Sequence, residues 1–247
     1  MNNWSDSVKN ENTTSPLLII GDSIPLGAAE IRGTDIVEYV QPTCVDLLKA
    51  AMPTLDIRID AEVYRNSVSV RQELEQIIAR HQPKRVLLMI GGSDADMDWK
   101  RFVLSDGKIA RSRVSMEKYE SNMRLICARL IEIGASVILT DWPNHCFALK
   151  GPYVAKLTGK DIPALLERGG GQAESDKHLI PYRAKAAEVA RDLQLQLIRF
   201  GEALDSHPAN QVLCSDGTHP SAAGHRVIAA CLIAALGQPV AAAELSA

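Results

Sequence analysis

Four apolar residues, Leu17-Leu18-Ile19-Ile20, run without a charge into Gly21-Asp22-Ser23. Such a run, closed by glycine and small polar residues, reads as a strand buried on both faces and the turn that leaves it. A strand buried on both faces needs helices above and below it, which commits the chain to a layered α/β architecture. In open parallel sheets ligands sit beyond the carboxyl ends of the strands, so Ser23 falls where a reacting residue belongs. A turn or helix-capping role for that serine is the plain alternative.

The far end of the chain decides between them. Ser215-Asp216-Gly217-Thr218-His219-Pro220-Ser221 sets a carboxylate three residues before a histidine in a loop broken by glycine and proline. A nucleophilic serine needs a base for its proton, and the base needs a carboxylate on its other ring nitrogen. Asp216 and His219 supply base and orienting group from one local turn, and Ser23 supplies the nucleophile from across the sheet.

Together the two stretches resemble the SGNH (GDSL-type) hydrolase family. Gly21-Asp22-Ser23 matches its first block and Asp216-Gly217-Thr218-His219-Pro220 its last, and the resemblance spans roughly residues 15 to 236. It implies that Ser23 attacks an acyl ester, that His219 is the base and that Asp216 orients His219. It also implies an oxyanion hole made by the Ser23 N–H, a backbone N–H at Ser67 and a donor at Ser93. The family carries glycine at the position of Ser67 and asparagine at that of Ser93. A serine hydroxyl donates from a side chain shorter by roughly 1.5 Å. Outright loss of one oxyanion donor costs about 100- to 1000-fold in turnover. The departures leave three functions open: an esterase or deacetylase with an altered oxyanion hole, an acyltransferase on the same triad, and a non-catalytic binding protein of this fold. The resemblance implies a small-molecule acyl ester as partner and no cofactor.

At 247 residues the chain suits one α/β domain, placed at residues 16–237, with a mobile segment at 1–15 and a tail at 238–247. A formal charge of −3 without a basic block argues against a nucleic-acid partner. No charged leader precedes an apolar stretch and no apolar run spans a bilayer, so the chain reads as cytoplasmic and not membrane-bound. The five cysteines are odd in number and widely spaced, which suggests reduced thiols and no zinc site. No glycine-rich phosphate loop follows a strand, so no nucleotide cofactor is indicated. Oligomeric state is left open.

Between the two motifs, apolar strand-like runs alternate with helical periods. Strands are predicted at Asp56–Tyr64, Arg85–Ile90, Ala135–Thr140 and Leu195–Phe200, and helices at Pro42–Ala51, Arg71–His81, Met116–Ile133, Asp176–Leu193 and Ala222–Leu236. That is a three-layer α/β/α sandwich around a five-stranded parallel sheet, SGNH/flavodoxin-like in kind. Pro25 suits the first turn of a helix after Ser23, and Pro181 that of the helix before the last strand. Residues 96–115 have no clean period and read as a surface insertion beside the site. Residues 146–176 are punctuated by glycine and read as a lid or binding loop, with Trp142, Phe147 and Tyr153 as candidate pocket walls. Asp22 and Asp94, at strand ends, suit roles in tying loops together and are, with the pocket-wall candidates, the candidate substrate-binding residues. Of the other histidines, His145 lies near a strand end.

Overall fold

The computed structural model describes residues 15–32, 36–169 and 172–237. The predicted N-terminal segment, apart from Ser15, and the predicted tail lie outside them.

Strand β1 (Leu17–Gly21) leads through a turn to a hairpin of β2 (Ala28–Arg32) and β3 (Ile36–Tyr39). Helix α1 (Cys44–Ala51), β4 (Ile57–Ala61), α2 (Ser67–His81) and β5 (Arg85–Met89) follow. Two short helices, α3 (Gly92–Ala95) and α4 (Trp99–Leu104), precede α5 (Met116–Glu132) and β6 (Ser136–Thr140). Then come α6 (Phe147–Thr158), α7 (Ile162–Gly169), α8 (Gln172–Asp192) and β7 (Gln196–Ile198). Helices α9 (Phe200–Asp205), α10 (Ala209–Val212) and α11 (Ala222–Leu236) complete the described chain.

Five strands form one parallel sheet in the order β4-β1-β5-β6-β7. Every residue of β1 is buried, which explains its uninterrupted apolar run: both its edges are paired and both its faces covered. β4 lies at the sheet edge and alternates more polar residues, as its pattern predicts. One helical group, α1, α9 and α11, packs together on one side; α2, α5 and α8 form the other. The three-layer sandwich is therefore present.

Local chemistry sets the element ends. Thr43 accepts the Asp46 N–H at 3.0 Å while the Asp46 carboxylate accepts the Thr43 N–H at 2.9 Å, a reciprocal cap that starts α1. His225 on α11 accepts the next free N–H of α1, that of Cys44, at 3.1 Å. Burial holds the His225 imidazole neutral, pushed down to about 4. Ser221 caps α11 as predicted. Among the described residues, no helix is long and apolar enough to cross a membrane.

Four expectations need correction. No helix follows Ser23: Gly27, at φ 70°, turns the chain, and its N–H closes a turn onto Ile24. Pro25 packs against Gly21, where a Cβ would lie 2.4 Å from the proline ring. The segment read as a glycine-broken loop is helical, because Gly151 and Pro152 sit inside α6, with the Phe147 ring laid against Gly151. Pro181 lies in the interior of α8, which begins at Gln172. Finally, residues 96–115 do lie beside the site but are not wholly at the surface. Met97 and Phe102 bury against Val154, Ile162 and Leu165 in a second apolar cluster, so α4, α6 and α7 make one cap over the sheet's carboxyl edge. Tertiary burial overrides the weak local helix signal here.

Because this cluster is separate from the main core, Phe102→Ala should loosen the cap while the sheet holds. Limited proteolysis should then cut between residues 99 and 169 at least tenfold faster, while the main melting transition shifts by only a few °C. A core-deleting Phe→Ala normally costs about 3–5 kcal/mol of the unit it belongs to. A collapse of the main transition by more than about 10 °C would show that cap and sheet unfold as one.

Candidate active site

Ser23 stands two residues beyond β1, on a turn fixed from both sides. The Ile24 N–H donates to Asp22 Oδ1 at 3.1 Å, and the Ala28 N–H donates to the Ser23 carbonyl at 3.1 Å. The hydroxyl reaches His219 Nε2 at 2.9 Å, across 196 positions of sequence. His219 Nδ1 lies 2.5 Å from Asp216 Oδ2. The other Asp216 oxygen accepts the N–H groups of Thr218 and His219, both at 2.9 Å. The carboxylate is thus held by its own turn before it meets the ring. Serine, histidine and aspartate form one continuous hydrogen-bonded line, and Asp216 is almost fully buried.

The turn depends on Gly217. Its φ is 64°, and a Cβ there would meet the Cys146 carbonyl at 2.4 Å and the Lys150 nitrogen at 2.6 Å. The Gly217 carbonyl accepts the Cys146 N–H at 2.8 Å, which ties the triad loop to the start of α6.

Two cavities open beside His219. A small one of about 60 Å³ is bounded by Asp22, Ser23, Gly92, Ser93 and His219, with Arg113 and Tyr64 at its edge. A larger one of about 400 Å³ extends over Trp99, Val103, Tyr153 and Val154 towards Tyr64 and Arg113.

The predicted residues divide on this frame. Ser23, Asp216 and His219 come together. Asp22 faces the small cavity; burial raises its carboxyl to about 6, against the pull of the Ile24 N–H, His219 and Ser93. The Ser93 hydroxyl points at Asp22 Oδ2 across 3.4 Å. Tyr153 lines the large cavity. Trp142 is mostly a floor residue: it is 3 % exposed, and its ring fills the space beside Gly91. Phe147 lies outside both cavities next to the triad and stacks on Trp99 at 6.3 Å.

Ser67 requires the largest correction. It is fully buried at the start of α2, its N–H is 2.9 Å from Asp94 Oδ2 and its hydroxyl 2.5 Å from Asp94 Oδ1. Asn122 donates to the same hydroxyl at 3.0 Å. The Ser67 N–H is therefore committed to Asp94 and does not face the cavity, and Asp94, fully buried and lining neither cavity, is no substrate-binding residue but ties α2 to α3 after β5. Serine suits this position because its hydroxyl completes the bond to that carboxylate.

A group of residues that sequence reasoning missed surrounds Asp96. Lys150 Nζ lies 2.6 Å from Asp96 Oδ1 and 3.0 Å from His145 Nδ1, and Arg113 Nη2 lies 3.0 Å from Asp96 Oδ2. Trp99 Nε1 donates to Asp96 at 3.2 Å. Burial raises the Asp96 carboxyl, but the charges of Lys150 and Arg113 outweigh it and hold the group below the usual carboxylate range. Burial and the Lys150 charge push His145 down to about 3, so it is a neutral acceptor. The only sequence signal for this group was the His145 position at a strand end.

A model of the GDSL-like lipase/acylhydrolase family matches residues 19–227, which contain Ser23, Asp216 and His219. The chain belongs to that family. It is accordingly an ester hydrolase of the serine type. Solved structures agree in fold. A protein described as a GDSL-like lipase from Parabacteroides merdae superposes with TM-score 0.64 at 16 % identity, covering 91 % of this chain and 96 % of its own. A lipase/acylhydrolase from Enterococcus faecalis gives 0.62 at 20 % identity, covering 92 % and 100 %. An acetylxylan esterase from Geobacillus stearothermophilus gives 0.61 at 20 % identity, covering 91 % and 94 %. Catalytic mutants of that esterase replace a serine, an aspartate or a histidine by alanine. A comparison with curated proteins gave no match.

Two predictions follow from the geometry of this GDSL-family site. Gly217→Ala should force the triad turn off Cys146 and Lys150 and lower ester turnover by roughly 100-fold, the scale of an ångström of misalignment; unchanged kcat would show that the loop absorbs the methyl group. The second concerns Asp94. Burial, helped by the charge of Asp22, raises it to about 7 against the pull of Ser67. A folded pKa above the unfolded 3.8 means stability is fully present below that value and is lost as pH rises towards 7. Asp94→Asn should remove this loss. Between pH 5 and pH 7.5 the wild-type melting temperature should fall by about 5–10 °C more than that of the variant. Parallel curves would place the Asp94 titration elsewhere.

Proposed function

We propose that this hydrolase cleaves esters of short acids, acetate above all, by acyl transfer through Ser23. The observation that carries the reading is His219 bridging Ser23 and Asp216 at 2.9 and 2.5 Å. In this scheme the Ser23 oxygen attacks the ester carbonyl as its proton passes to His219 Nε2. Asp216 holds the ring in the tautomer that accepts and stabilises the imidazolium. His219 returns the proton to the departing alcohol, then takes one from the water that releases the acid.

The oxyanion needs donors aimed at the small cavity. Among the described residues, no acceptor meets the N–H of Ser23 or of Gly92, and both residues border that cavity. We assign the oxyanion to these two groups; the Ser93 hydroxyl beside them donates to Asp22 and must turn away from it to join them. Gly92 takes the place that the family resemblance gave to Ser67. The volume of about 60 Å³ supports a small acyl group. The acetylxylan esterase neighbour supports the same choice, and its mutated serine, aspartate and histidine parallel Ser23, Asp216 and His219 in type.

Intact mass after exposure to a fluorophosphonate tests the nucleophile. One adduct is expected on the wild-type chain and none on Ser23→Ala. Phenyl acetate turnover should fall by at least about 1000-fold in Ser23→Ala and in His219→Gln. No adduct on folded wild-type protein would favour a binding protein. Acetyl transfer to an added alcohol in preference to water would favour an acyltransferase.

A further inference from the structure

The larger cavity has a composition of its own. Its walls are apolar, built by Trp99, Val103, Leu104, Tyr153 and Val154, yet three cations, Lys100, Arg113 and Lys150, line it beside two carboxylates, Asp96 and Asp216. Both carboxylates are committed. Asp216 is bonded to His219, and Asp96 is shared by Lys150 and Arg113. The wall is left with one positive charge in excess.

Arg113 is the group placed to use that charge. Its guanidinium is fixed at one end by Asp96 and lies over the Tyr64 ring at 5.2 Å. Among the described residues, its Nε and Nη1 groups meet no acceptor. A guanidinium held on one nitrogen and one face, with its remaining donors unused, is pre-organised for an oxyacid. Arg113 also borders the small cavity with Ser23, so it stands where the two cavities meet. Lys100 is exposed on the same wall and has no carboxylate partner among the described residues.

We infer that the large cavity takes the alcohol part of the substrate and that this part is an apolar or aromatic body carrying one carboxylate, received by Arg113 with support from Lys100. The inference rests on the reading of Ser23 as nucleophile and of the small cavity as the acyl site. A single excess charge suits a monoanion, and the apolar walls suit a ring more than a polyhydroxylated sugar, whose hydroxyls would find few partners there.

A matched pair of acetates separates the two readings. The probes are 4-acetoxybenzoate and its neutral isostere 4-acetoxybenzamide, with kcat/KM for each divided by its rate with hydroxide. The benzoate should be preferred by at least about tenfold, the scale of one charge-assisted hydrogen bond. The preference should shrink to within about twofold of unity in Arg113→Gln and fall partway in Lys100→Gln. It should also weaken in 0.5 M salt as the exposed lysine is screened. Because the readout is a ratio within one variant, a general loss of folding or turnover divides out, and exposed Lys100 gives a second variant if Arg113→Gln fails to fold. Equal normalised rates, or a preference that survives both substitutions, would overturn this inference and leave the esterase reading standing. No Ser23-dependent turnover of either acetate would overturn both.

Discussion

The parallel pairing of β1 between β4 and β5 is the constraint on which the site rests. Gly21 closes that strand in register with Ala61 on one side and Met89 on the other. Three strand ends therefore stop at the same level. The loops that leave them, carrying Ser23, Tyr64 and Gly92, have nowhere to go but around one hollow. Gly21 has a second duty there, since Pro25 packs where its side chain would be. Ser23 is held, nearly buried, at the head of a rigid strand because the turn behind it is that tight.

The other half of the triad arrives by a different route. Asp216 and His219 belong to no strand. Their loop is anchored by hydrogen bonds from Cys214 to the His219 carbonyl and from Ser221 to the Val212 carbonyl, both at 2.8 Å. Behind it α11 packs so closely that a Cβ on Gly224 would meet the Val212 carbonyl at 2.2 Å. A local turn fixes the pair internally, and the docked helix fixes it relative to Ser23. The positioning of the pair is thus divided between a local turn and a docked helix.

That division also explains what was legible in the sequence. The triad could be read because two of its members are three residues apart and the third follows an unmistakable buried strand. The five parallel strands could be read because the central ones are short apolar runs between helical periods and the edge strand β4 alternates apolar and polar residues. The Ser67 role could not, because a backbone N–H is committed by whatever lies above it, and Asp94 is 27 positions away. Nor could the cap. Gly151-Pro152 is a strong local break, and nothing in the run reveals that Val154 will bury against Met97 and Phe102. Nothing in the sequence singles out Arg113 or Lys150, since their common partner Asp96 lies before the cap helices and belongs to no motif.

Asp96 gives those charges a structural logic. It receives Trp99 from α4, Arg113 from the strand-like bridge that pairs Met97 with Ser112, and Lys150 from α6. Each segment of the cap that approaches the triad is thus tied to one carboxylate. Buried ions stabilise little in net terms, because desolvation offsets most of the attraction, but removing one partner leaves the others uncompensated at a cost of about 3–5 kcal/mol. An apolar cap would hold as well and could slide. A cap pinned at a single charge has one low-energy position over the triad, and the same charges give its inner surface a polarity that an apolar wall lacks. Lys150 carries both effects into the catalytic loop, since its own backbone lies against Gly217, the residue that lets Asp216 and His219 face each other.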